Sequence, residues 1–142
     1  SKEYDVPVFL FPGKLNVIAI EARNAWEQNG LDRGIIAELA YTQSGTTKFV
    51  DTDETWKVST TAPDGWTAVT FDDSAWAPPF VIGKTGIPPW GNVVFNTDAE
   101  WLWTYDPNVP ADQKPQEETI YLRKGFYMDP AGGASGTRPM CR

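Results

Sequence analysis

The chain has 142 residues, of which 41% are hydrophobic and 22% charged, and it carries a net charge of −7. Length and composition together suit one folded domain and exclude a disordered chain. The acidic balance excludes the concentrated positive surface that nucleic-acid binding needs, and it disfavours docking on anionic lipid.

Twelve Gly and twelve Pro punctuate short apolar runs, a pattern that predicts strands and turns and not helices. The first predicted strand is 6–11, closed by the turn signal Pro12-Gly13. Residues 16–22 contain Val17, Ile18, Ala19 and Ile20 in an unbroken row. A run that is apolar on both alternate faces predicts a strand in the middle of the fold. A third strand is expected at 34–41, and Ser44-Gly45 turns the chain into a fourth at 48–50. Residues 56–60 are short and β-branched, and 66–71 alternates with threonine as a half-exposed strand does.

From 77 to 96 the pairs Pro78-Pro79 and Pro88-Pro89 predict a long ordered loop. Strand character resumes at 100–105, and a polar loop with Pro107, Pro110 and Pro115 follows. The last predicted strand, 119–128, sets Ile120, Leu122, Phe126 and Met128 on one face. Lys124 interrupts that face, and it either snorkels or pairs with an acid. The segment 129–142 is rich in Gly and Pro with little to bury, so it reads as a tail or linker outside an all-β domain at 1–128.

The absence of histidine removes the usual general base, the Ser-His-Asp and Cys-His arrangements and the commonest metal ligand. A pair of carboxylates of the glycosidase kind is the catalytic option left, and no recognised catalytic arrangement accompanies it. The expectation is therefore a protein that is not an enzyme. Cys141 is the only cysteine, which rules out a disulfide within these residues; it is an inert or disordered terminal thiol, or pairs with another chain or with a missing part of this one. No apolar run approaches the roughly 18 residues of a membrane span, so membrane insertion is not expected. No basic-then-apolar leader opens the sequence, and Ser1 reads as the start of a processed chain or of a fragment.

Seven Trp make this composition unusual, and two of them sit where a core residue is not expected. Trp26 lies in the polar stretch 24–29, and Glu27, Asn29, Asp32 and Arg33 nearby would bond the hydroxyls of a sugar whose C–H face stacks on the indole. Trp90, between Pro88-Pro89 and Gly91-Asn92, is the second stacking candidate. The alternative for both rings is that they plug the ends of the fold, since Trp is highly buried on average. Trp56, Trp66, Trp76, Trp101 and Trp103 are assigned to packing. Asp51 and Asp53 are candidate calcium ligands, because loops rich in Asp supply the oxygens that ion takes. Asp72 and Asp73 read as turn residues pinned by an aromatic.

Four stretches together resemble the galactose-binding-like β-sandwich domains attached to bacterial glycoside hydrolases and other secreted proteins. They are 4–6 with 11–24; 34–39; 51–58 with Gly65-Trp66 and Phe71-Asp72-Asp73-Ser74-Ala75-Trp76; and 101–103 with Ile120-Tyr121-Leu122-Arg123-Lys124-Gly125-Phe126. The resemblance implies a jelly-roll β-sandwich, an extracellular or cell-surface setting, a structural calcium, and a non-catalytic, lectin-like role with carbohydrate as partner. It also implies a permuted order. The motif like 101–126 normally opens such domains, a strand pair with an Asn-Gly turn follows, and the motif like 4–24 comes after. Here the opening motif is last and the middle pair is missing. The chain is then circularly permuted, or a window across two adjacent copies of the domain, or a sandwich whose missing strands come from a neighbour; the alternative is a shorter variant that closes without them. Strands supplied by a neighbour make a structural subunit of an extracellular assembly, joined by strand sharing, the alternative function.

Overall fold

The computed structural model describes residues 3–6, 9–24, 33–93, 98–115, 117–131 and 140–141. Among the described residues eight strands run in chain order: β1 (Leu15–Asn24), β2 (Glu38–Gln43), β3 (Thr46–Asp51), β4 (Lys57–Ser59), β5 (Phe80–Lys84), β6 (Glu100–Trp103), β7 (Glu118–Tyr127) and β8 (Met140–Cys141). They pair antiparallel in three sheets, β1-β7-β4, β3-β2-β8 and β5-β6, and no α-helix occurs among the described residues. The all-β prediction holds, and the arrangement is consistent with a β-sandwich.

The long pair β1-β7 organises the layers, with Leu15 opposite Tyr127 and Asn24 opposite Glu118. Even-numbered residues of both strands share one face. On it, Ile18 and Phe126 pack with Leu39 and Tyr41 of β2, while Ile20, Ala22, Ile120 and Leu122 pack with Leu102 and Trp103 of β6 and with Val58 of β4. One sheet thus covers the other two, and the core lies between them. Ile120, Leu122 and Leu102 are fully buried. Lys124 falls on this face, and its ammonium escapes the apolar layer by donating to Thr55 Oγ1 at 2.7 Å.

The opposite face of β7 carries Tyr121 and Arg123, which alternation alone would leave in water. Residues 60–77 cover them. Trp66 meets Tyr121 edge-on at 5.1 Å, Trp76 stacks against Trp66 at 6.2 Å, and Phe71 meets Trp76 edge-on at 5.7 Å. The Arg123 guanidinium lies 5.0 Å from the Phe71 ring centre and donates to the carbonyls of Trp66 and Ala68 and to Asp73 Oδ2. Asp72 Oδ1 accepts from the Ser74 N–H, the expected turn chemistry, and those bonds hold its carboxyl below the usual range.

Several boundaries differ from the sequence expectations. No strand forms at 66–71; those residues make successive turns, with the Ala68 N–H on Gly65 O and the Phe71 N–H on Ala68 O. These turns, and not alternation, bring the Trp66 carbonyl and the Phe71 ring to Arg123. Nor do the described residues of 6–11 form a strand. The Phe9 N–H closes a turn on Val6 O, and Asn16 clamps the Phe11 backbone by both its N–H and its carbonyl. The loop expected at 77–96 holds β5, a short β-branched run hidden between prolines. The end of the tail expected at 129–142 forms β8, which pairs Met140 with Ala40 and Cys141 with Leu39. The largest difference concerns β1, expected in the middle of the fold and found at the edge of its sheet.

Candidate functional site

The candidate sugar site divides across the described boundary. Trp26, Glu27, Asn29 and Asp32 lie outside the described residues. Arg33 is fully buried: its Nε pairs with Glu118 Oε2 at 2.5 Å and its Nη2 donates to the Pro115 carbonyl. Glu118 Oε2 also accepts from the Tyr105 hydroxyl at 2.7 Å, and burial together with that carboxylate pushes the phenol up to about 12. These bonds tie the 106–117 loop to the start of β7. Arg33 therefore works as an internal clamp.

Trp90 stacks on Trp101 with ring centres 4.3 Å apart and planes 21° from parallel. Gly34 lets the stack close, because a Cβ there would lie 3.0 Å from Trp90 Cη2 and 3.2 Å from Trp101 Cε3. The ring is half-buried, so Trp90 both packs and keeps part of its surface in solvent. Arg33 and Trp90 are thus neighbours through Gly34, although the guanidinium is committed to Glu118.

Of the candidate calcium ligands, Asp53 makes a local turn, its Oδ1 accepting from both the N–H and the hydroxyl of Thr55. Asp51 contributes its backbone carbonyl to Trp56 Nε1 at 2.8 Å. Among the described residues no three Asp, Glu or Cys side chains converge as metal ligands, whereas calcium takes about six to eight oxygens. Glu100 lies near this turn, and burial, Glu54 and Asp53 raise its carboxyl, with Lys84 opposing them. Folding therefore favours the protonated acid, and that contribution is lost as pH rises through its raised folded value. Glu100→Gln should accordingly raise the melting temperature at neutral pH. The gain should vanish below the ordinary carboxylate range, as paired thermal scans would read.

The remaining feature is the edge of β1. The Met128 N–H donates to Lys14 O at 3.1 Å, and the register continues unbroken to Asn24. Antiparallel alternation then points the N–H and C=O of even-numbered β1 residues at β7. Those of Leu15, Val17, Ala19, Glu21 and Arg23 point away from it. No second strand meets them among the described residues. Ile18, Ile20 and Ala22 face the core yet are only half-buried, while their β7 neighbours Ile120 and Leu122 are fully buried.

Exposed edges are normally blunted by brevity, charge, proline or a bulge. The others here are, β6 by its four residues and by Ile35, which exchanges both Leu102 bonds. β4 is three residues long and exchanges both Val58 bonds with Ala77. β3 carries Thr46, Thr47 and Lys48, β5 breaks register between Val81 and Gly83, and β8 has two residues. β1 has ten residues without proline, lysine or a bulge, and its first six carry no charge. The sequence signal was present in the unbroken apolar row, although it pointed to a central strand. Arg123, the other residue of structural consequence, was visible only as a charge inside an apolar strand. The chain matches no family model, no curated protein and no solved structure.

Proposed function

We propose that this chain is a non-catalytic β-sandwich module of an extracellular assembly, with the galactose-binding-like jelly roll as its fold type, joined to a neighbour by strand addition at β1. The observation that carries this reading is the unblunted edge of β1: a strand with the composition of a central one, its outward backbone groups without a described partner. A further strand would satisfy those groups and finish burying Ile18 and Ile20. Native mass spectrometry across a concentration series tests it. The expected result is association that reducing agent leaves intact and that Ala19→Pro abolishes, because proline removes an outward N–H while the hydrogen bonds to β7, made by the even-numbered residues, stay in place. A folded monomer at every concentration, identical in both proteins, would overturn the reading.

A second reading, carbohydrate binding, draws support from Trp90, whose half-exposed ring is held rigid by Trp101. A rigid indole backed by a second ring suits the apolar face of a sugar. On this reading Trp90→Ala abolishes glycan-array retention while the fold persists; an array without specific signal would remove it.

A further inference from the structure

Which strand completes the sheet is decided by the pattern of β1 itself. The reading that the edge pairs is assumed here, and the question is with what. A second copy approaching about a two-fold axis normal to the sheet pairs residues of equal parity, so outward-pointing groups meet outward-pointing groups. Four such registers are short shifts of one another. Centring on Glu21 sets the two glutamates directly opposite, which is destabilising. Centring on Ile20 puts Glu21 opposite Ala19 and leaves the glutamates diagonal neighbours, roughly 7–8 Å apart by sheet geometry. Centring on Ile18 shortens the paired stretch and leaves Arg23 unmatched.

Centring on Ala19 pairs 15–23 with 23–15. Glu21 then lies opposite Val17 and Arg23 opposite Leu15, and the glutamates are well separated. On the core face Ile18 meets Ile20 twice, a β-branched cross-strand pair that closes the half-buried side of both sandwiches. The strand carries one acid and one base, so it is locally neutral although the chain is at −7, and two copies meet there without charge opposition. Leu15 is half exposed, at 50%, and in this register it gains the aliphatic stem of the partner's Arg23 as cover.

We infer that two copies of this chain join antiparallel through β1, with Ala19 on the two-fold axis, forming one six-stranded sheet of order β4-β7-β1-β1-β7-β4. The test uses single cysteines in a Cys141→Ser background under mild oxidation. In an antiparallel hydrogen-bonded pair the opposed Cα atoms lie about 5.5 Å apart, inside the range a disulfide spans. Ala19→Cys should therefore give a covalent dimer on a non-reducing gel. Val17→Cys should give none, because its partner copy lies four residues away, about 13 Å along the strand. Thermal scans of both variants confirm that each is folded. A covalent dimer from Val17→Cys but not from Ala19→Cys, or association into open polymers, would overturn this inference while leaving strand addition standing. A monomer under all conditions would overturn both.

Discussion

Arg123→Met is expected to cost about 3 kcal/mol, with the loss concentrated in residues 60–77. The side chain is buried at 3% exposure and makes three hydrogen bonds, two of them to the main-chain carbonyls of Trp66 and Ala68. Bonds from a charged donor contribute roughly 1.5–3 kcal/mol each, and truncation leaves those acceptors without a partner. Asp73 keeps partial solvent access, so its own charge is tolerated. Methionine matches the arginine stem and preserves contact with Phe71, which isolates the polar loss. The expected signature is early protease cleavage within 60–77 and loss of near-ultraviolet aromatic ellipticity, while far-ultraviolet strand signal survives. Cleavage elsewhere first would mean that Arg123 does not hold this segment.

Leu122→Ala is expected to destabilise the whole domain, by about 2–5 kcal/mol. Leu122 has no exposed surface and sits where the β1-β7-β4 sheet meets Leu102 and Trp103. Its strand neighbours Ile20 and Val58 lie directly across from it on either side. Two sheets, β1-β7-β4 and β5-β6, meet around this side chain, so the cavity has little room to collapse. Chemical denaturation should show one cooperative transition moved to lower denaturant, with far- and near-ultraviolet signals coincident. Two separated transitions would show that the sheets unfold independently and that this cluster does not join them.

Alternation and turn chemistry made much of the architecture legible. Ser44-Gly45 specifies a tight hairpin, and both residues adopt positive φ, 52° and 77°, as the primed turns between strands require. The alternating face of 119–128 was equally plain, since Ile120 and Leu122 repeat at the strand period. What could not be read was which aromatic covers which strand. The run 66–71 reads the same whether it lies in a ladder or in consecutive turns, and only the Trp66 and Ala68 carbonyls turned toward Arg123 separate the two. β5 was hidden because Phe80-Val81-Ile82 is short and lies between proline pairs. The reading of β1 as a central strand was reasonable from composition and differs from the sheet order observed. Sequence pattern reports how much apolar surface a strand brings, and not whether its own chain supplies the neighbour that covers it.

For the candidate site, the sequence singled out Trp90 but gave no sign that Trp101 would stack beneath it. Arg33 looked like a ligand group beside polar neighbours. Its partner Glu118 lies 85 residues away in sequence, and only the fold brings the two together.

Residue-resolved amide exchange along β1 tests the central claim most directly. The amides of Ile18, Ile20 and Ala22 face β7 and should be protected at any concentration. Those of Val17, Ala19, Glu21 and Arg23 should exchange freely in dilute solution and become protected as concentration rises, in step with association. Rapid exchange of these four at every concentration up to the solubility limit would mean that the edge stays open to water and that β1 does not pair.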